Sequence, residues 1–242
     1  MKKAYITLLV LTISLTANAQ WWGNSEKIKG NGKVTTEVRK VGGFDKVTVG
    51  GSFDVILIAG KEGKVTLEGE ENVLEYIITE VNNGKLEIKF KNNTNVRTTK
   101  KLTATVPFET IEAVSLGGSG NVFVKKPIKS NSVSVAIGGS GNIVTEVEAT
   151  TLSASIGGSG DIKLSGKSTT LKCSIAGSGS IKAYELETED LKASIAGSGS
   201  VKTNVSNKIK ASIVGSGSVY YKGKPSKINT SSVGSGDVID RN

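Results

Sequence analysis

The sequence predicts an all-β protein: a single-chain parallel β-helix, or solenoid, of about seven rungs of roughly 20 residues each, with an N-terminal strand and hairpin insertion acting as its cap. Three observations predict it. A Gly-Ser-Gly triplet recurs seven times, centred on Ser119, Ser140, Ser159, Ser178, Ser198, Ser216 and Ser235, at spacings of 21, 19, 19, 20, 18 and 19 residues. Within each copy apolar and polar residues alternate with a period of two, as in "LKASIAGSGSVK" from Leu191 to Lys202. Helical periodicity is nearly absent, and only "EENVLEYI", Glu70 to Ile77, has the pattern for a turn or two.

Taken from the N-terminus, the chain opens with Lys2 and Lys3, the apolar run "AYITLLVLTISL" and the small residues "ANA" at Ala17 to Ala19. That order predicts a signal peptide over residues 1–19, cleaved before Gln20. The apolar run is short for a membrane span, and no Cys follows the cleavage site to carry a lipid. Residues 20–40 read as a leader, beginning with Trp21 and Trp22. Residues 41–110 read as a degenerate repeat with a capping insertion, continuous with the Gly-Ser-Gly helix over 111–242.

The degenerate repeat is "FDKVTVGGSFDVILI" from Phe44, which aligns with "IEAVSLGGSGNVFVK" from Ile111. Val47 then matches Val114, Ser52 matches Ser119 and Val55 matches Val122, with Phe53 standing where the other copies have glycine. The insertion from about Lys61 to Val106 reads as a strand, a short helical turn, a hairpin through Asn83-Gly84 and a further strand in "KLTATVP". At the other end the chain finishes half a rung after the last triplet, so the sequence predicts an open C-terminal edge, suited to an end-to-end homodimer.

In each rung the apolar positions, such as Leu191, Ala193, Ile195 and Val201, are expected to stack above their counterparts and fill the interior. The glycines permit tight bends and close approach of successive turns. The triplet serines are expected to form a hydroxyl ladder along the bend. Beside it runs a second polar series, Asn121, Asn142, Asp161, Ser180, Ser200, Ser218 and Asp237.

Composition narrows the chemistry. There is no histidine, which removes the commonest general base and transition-metal ligand. Cys173 stands alone where the neighbouring copy has Ala193, and reads as a small buried residue. The net charge of +9 is almost all lysine, scattered at alternate positions, with arginine only at positions 39, 97 and 241. Few aromatics accompany it, so nucleic acid is not expected as a partner, and the charge reads as a solvated basic surface, with weak attraction to acidic polysaccharide or anionic membrane as the alternative.

Three catalytic or ligand-binding readings fail on spacing. "GGSGDI" from Gly157 has calcium-loop composition, but only Asp161 and Asp237 carry charge at the repeated position, and calcium needs several carboxylates among six to eight oxygens. The glycine turns join strands rather than opening helices, so they lack the dipole of a phosphate cradle. Polysaccharide cleavage would need paired acids in register, whereas Glu146, Glu148, Glu185, Glu187, Glu189 and Asp190 fall in the variable stretches between strands. No catalytic, cofactor or metal residue is therefore assigned. Trp21-Trp22 and Tyr220-Tyr221 remain as exposed-aromatic candidates.

The order of these motifs carries a resemblance. "VGGFDKVTVGGSFDVILIAGKEGKVTLEGEENVLEYIITEVNNGKLEIKF", then "LTATVPFETIEAVSLGGSGNV" and the tandem Gly-Ser-Gly copies, resembles the head GIN domain family of Bacteroidetes, whose members are described as autotransporter adhesins. It covers the chain from about Val41 to the end, and it implies an exported β-helical protein with no catalytic residues to carry across.

The resulting expectation is a non-catalytic exported protein of the periplasm, outer-membrane surface or extracellular space. It would act as an adhesin-like binding module presenting a flat, repetitive polar face to an extended ligand such as a glycan. The alternatives are a periplasmic scaffold pairing through the open C-terminal edge, and a polysaccharide-acting enzyme, for which Glu146, Glu148 and Asp161 would have to converge.

Overall fold

The computed structural model describes residues 25–242. The expected signal peptide and the Trp21-Trp22 pair lie outside the described residues. The rest is a parallel stacked-coil solenoid, with about seven turns carrying the triplets and further N-terminal strands beneath them.

In chain order the N-terminal part holds β1 (Glu26–Lys29), β2 (Val34–Lys40), β3 (Lys46–Gly51), β4 (Asp54–Ala59), β5 (Lys64–Glu70), the helical turn α1 (Glu71–Leu74), β6 (Ile77–Asn82), β7 (Lys85–Phe90), β8 (Thr94–Arg97) and β9 (Thr103–Phe108). The stack continues through β10 (Ala113–Gly118), β11 (Asn121–Val124), β12 (Ile128–Gly139), β13 (Asn142–Gly158), β14 (Asp161–Gly177), β15 (Ser180–Gly197) and β16 (Ser200–Gly215). It ends in β17 (Ser218–Lys222), β18 (Lys227–Val233) and β19 (Val238–Asp240).

The degenerate copy takes the register its sequence predicts. β3 pairs in parallel with β10, placing Val47 against Val114, and β4 pairs with β11, placing Val55 against Val122. Each later rung repeats the arrangement, and three inward columns run the length of the stack. One is Val133, Leu152, Leu171, Leu191, Ile209, and another is Ile137, Ile156, Ile175, Ile195, Ile213. Between them runs Val135, Ala154, Cys173, Ala193, Ala211. All are buried, and each of the larger side chains is worth about 1.5–3 kcal/mol before chain entropy is set against it. Cys173 is thus a core residue, and burial pushes its thiol far above the ordinary range, leaving it unreactive.

A coil of about twenty residues has room for two or three short strands with turns between them. Instead, from β13 to β16 each coil is one strand of 16 to 18 residues that bends without breaking. Parallel neighbours keep their ladder through the bend, so no turn interrupts the assignment. The differences in rung length are taken up in one place. β14 and β15 shift register between Lys163 and Ser165, and β15 and β16 shift between Ala183 and Glu187, with a further slip at Thr188 to Asp190. The stretch from the Leu column to the glycine corner stays in strict register throughout.

The glycine corners explain why the triplet is glycine-serine-glycine. The carbonyl of Gly158 accepts from the amides of both Ser178 and Gly179, at 2.9 and 3.2 Å, and the same fork recurs from rung to rung. That brings successive corners into backbone contact. A Cβ on Gly177, whose φ is +131°, would fall well inside 3.0 Å of the Gly158 carbonyl oxygen. A Cβ on Gly179 would crowd the Gly160 carbonyl and stand 2.8 Å from Ile156 Cγ2. Phe53 is tolerated because the layer below it, β7, ends at Phe90 with no glycine corner of its own. The two rings pack edge to face at 5.2 Å, and Phe53 is buried.

The insertion does more than cover the end. β7 and β9 pair in parallel beneath β3 and β4, adding one more layer to the stack. The cap proper is antiparallel: β6 on β7 through the Asn83-Gly84 turn, where both φ values are positive, then β5 on β9 and β2 on β5. Residues read as leader therefore contribute strands β1 and β2, with β1 pairing with β8 in a small separate sheet. Arg39 closes the helical turn by donating to the carbonyls of Leu74, at 2.7 Å, and Ile77.

Glu70 ties the cap together. Its carboxylate is buried and accepts from the Gly32 amide at 2.7 Å, the Thr99 hydroxyl at 2.6 Å and amide at 2.8 Å, and the Lys100 amide at 3.3 Å. Burial works against the charge, but these four donors outweigh it and hold the carboxyl at a pKa of about 2.

The C-terminal end, expected to be open, leaves the apolar Ile228 and Val233 exposed but is polar in two of its three inward columns. β18 pairs on β16, and in its inward positions Thr230 continues the alanine column and Ser232 the isoleucine column. Ala211 and Ile213 beneath stay buried, while every residue of β18 is exposed. The last rung is thus built of residues that tolerate water on one side.

Two predictions follow from these contacts. Gly158→Ala should lower the unfolding free energy by about 3 kcal/mol or more, while Gly157→Ala, with nothing nearer than 3.9 Å, should change it by under about 0.5 kcal/mol in urea titrations. Glu70 has a depressed folded pKa, so its stabilisation is present above the ordinary value near 4.5 and is lost as pH falls toward about 2. Glu70→Gln should cost about 2–3 kcal/mol at pH 7, and its gap to the parent should close between pH 5 and 2.

Candidate functional site

The triplet serines stand on the outer tip of the glycine corner. All seven side chains are exposed, and among the described residues none of their hydroxyls bonds to another. The hydrogen-bonded ladder is the neighbouring polar series. Asn142 donates to Asn121 and Asn121 to Asp54, each at 2.8 Å, while Ser200 donates to Ser180 at 3.2 Å. Asp161 accepts from the Ser180 amide at 3.1 Å and from Lys182 at 2.6 Å. Asp237 lies at the far end, its amide donating to Ser218 at 3.4 Å. The two acids of this series are separated by several rungs, and among the described residues no group of three acids or cysteines could hold a metal ion.

The tyrosine pair is less exposed than expected. Tyr221 packs against the core and its hydroxyl meets Asp240 at 3.3 Å, while the Tyr220 ring lies under the Arg241 guanidinium at 5.2 Å. The acids proposed for cleavage do not converge. Glu146 and Glu148 share one stretch of β13, but Asp161 lies against Asn142 at the other side of the rung and is engaged by Lys182.

The concavity of the molecule lies where sequence reasoning placed only variable loops. An open groove of about 1020 Å³ runs along the solenoid at the bend opposite the glycine corners. It crosses five rungs, through residues 129–131, 148–150, 167–169, 187–189 and 204–206, about 19 Å at the rung spacing. Its lining mixes hydroxyl and amide groups, such as Ser130, Asn131, Thr169 and Asn204, with the charged Lys129, Glu148, Lys167, Glu187 and Glu189, and Ala149 is its one apolar residue. Ser168 and Thr188, buried in its floor, share a hydrogen bond of 2.9 Å.

Charge along the groove alternates. Lys129, Glu148, Lys167 and Glu187 stand directly opposite one another on four successive rungs. Lys129 lies 3.0 Å from Glu148 and holds its carboxyl below the ordinary range, burial opposes it, and Lys167 on the other side adds to the lowering. No sequence motif announces this groove, because it is assembled from one small or polar residue per rung at a bend without glycine punctuation.

The match to a family model is decisive. The model described as putative auto-transporter adhesin, head GIN domain, matches residues 43–225. The chain belongs to this family. No functionally curated protein matches the sequence. Among solved structures, the head GIN domain resembles a putative adhesin from Bacteroides fragilis at 26% identity and a TM-score of 0.83, over 88% of this chain and 100% of that one. It also resembles a putative lipid binding protein from Parabacteroides distasonis at 28% identity and a TM-score of 0.76, over 90% and 100%. A putative adhesin from Parabacteroides merdae shares the fold at 24% identity and a TM-score of 0.72, over 90% and 100%.

In this head GIN domain the alternating column is a stability device with a measurable signature. Glu148→Lys would set three lysines in direct opposition with Lys129 and Lys167, and should cost about 1 kcal/mol in urea titrations, less at high salt.

Proposed function

We propose that the protein is a non-catalytic binding module of the cell envelope or surface, and that its groove holds an extended polar chain such as a glycan. The groove itself carries this reading: about 19 Å of hydroxyls, amides and charges of alternating sign, repeated at rung spacing, fit a polar polymer rather than a compact metabolite. The lining supports a polar ligand over an acyl chain, since thirteen of its fourteen residues carry hydroxyl, amide or charged groups. The adhesin descriptions of the family and of the B. fragilis structure support the same class. Binding is favoured over cleavage because Glu146 and Glu148 stand away from Asp161 on the rung, so these acids do not form the facing pair that glycoside hydrolysis needs. The signal-peptide pattern of residues 1–19 supports export.

Two measurements test the reading. Residues 20–242 should bind at least one polysaccharide on a glycan array, and Thr169→Trp, at the exposed centre of the groove, should weaken that binding at least tenfold with thermal stability unchanged. Binding to none, or binding indifferent to the tryptophan, overturns it. Protease shaving of intact cells should remove the protein if it is displayed. Protection until the envelope is broken would place it in the periplasm and end the adhesin reading.

A further inference from the structure

Strict parallel register sets like residues beside like, and the solenoid neutralises the resulting charge in two places. On the groove side lysines and glutamates alternate from rung to rung. After the glycine corner Lys163, Lys182 and Lys202 stack on three successive rungs, and there Glu185 and Asp161 pair with Lys163 at 2.9 Å and Lys182 at 2.6 Å.

A third column has no such relief. On the flat outward face before the glycine corner, Lys172, Lys192 and Lys210 stand directly opposite one another on successive rungs. All three are exposed, and among the described residues none has an ion-pair partner. The nearest acid on the face, Asp190, sits between Thr170 and Lys208 in the adjoining column and accepts a hydrogen bond of 2.8 Å from Asn207. Directly opposed like charges destabilise a sheet, so this three-lysine column carries a cost that the opposed pairs Lys208–Lys227 and Lys40–Lys64 carry on a smaller scale.

The surroundings of the column are flat and small. Ser174, Ser194 and Ser212 form the next column toward the corner, and Ala176, Ala196 and Val214 the one after. A line of cations about 4.8 Å apart, beside a line of hydroxyls and a line of small apolar groups, matches the chemistry of a sugar chain bearing carboxylate or sulfate. We propose that this face binds a linear acidic polysaccharide running parallel to the solenoid axis, at a site separate from the groove. The single file of charge suits a chain rather than a planar lipid surface, and this stretch of the face has no aromatic ring on which bases could stack.

The test is binding of residues 20–242 to polygalacturonate and dextran sulfate, with neutral dextran, anionic phosphatidylserine vesicles and oligo-dT as comparison probes, across 50–500 mM salt as about the useful range. Tight binding to the acidic polysaccharides, falling steeply with salt, is expected. Replacing Lys172, Lys192 and Lys210 together by Gln should weaken it at least tenfold, while the same change at Lys163, Lys182 and Lys202 should weaken it less than threefold. Lys192→Glu recreates the alternating pattern of the groove side, so it should abolish binding and raise the melting temperature. Thr169→Trp should leave this binding intact, which separates its outcome from that of the groove. No binding to either acidic polysaccharide overturns the proposal, as does equal binding by the Lys172, Lys192, Lys210 variant. Tighter binding to the vesicles or to oligo-dT also overturns it.

Discussion

The close approach of successive glycine corners sets the rest of this structure. At each corner one carbonyl receives two amides from the rung above, and the backbones stand so near that neither outer residue of the triplet can carry a side chain. Once that contact is made, the residues leading into it have no freedom of register. The Leu, Ala and Ile columns therefore stack like on like, and the interior is filled by repetition rather than by interlocking of unlike shapes. The constraint also explains its own exception, because Phe53 stands above a layer that has no corner to collide with.

The same register creates the main electrostatic problem of the outer surface. In a parallel, in-register stack every charged residue meets its own kind at the rung spacing unless the sequence intervenes. On the groove side it alternates sign, as in Lys129, Glu148, Lys167 and Glu187. Beyond the corner it brings acids in laterally, as Asp161 and Glu185 do. The polar ladder from Asn142 through Asn121 to Asp54 is a third solution, in which each amide donates to the rung below and the series ends on one carboxylate paired with Lys101. A column of lysines left without any of these devices is informative against that background.

The parts legible in the sequence are those the corner dictates. The triplet period, the inward alternation, the place of Cys173 in the alanine column and the register of the upstream copy all follow from residues that recur at fixed offsets from the glycines. The Asn83-Gly84 hairpin was legible for a local reason, since both residues adopt positive φ. Other features were not. That β7 and β9 extend the stack depends on pairings between segments with no triplet to mark them. The polar closure of the last rung rests on Thr230 and Ser232, which look like ordinary strand residues until their columns are known. The groove was hidden because its lining residues have no common identity, only a common position at the bend.

That contrast bears on how such a fold acquires a binding surface. Rung lengths of 18 to 21 residues are accommodated without disturbing a single glycine corner, and the slips at Lys163/Ser165 and Ala183/Glu187 fall just before the groove. One side of the coil is thus pinned by backbone contact, and the other is free to vary in length and side chain at little cost to the core. A ligand lying along the axis would touch one short segment from each rung, and each could change without shifting its neighbours. The rigid corner is what makes the opposite bend available for recognition.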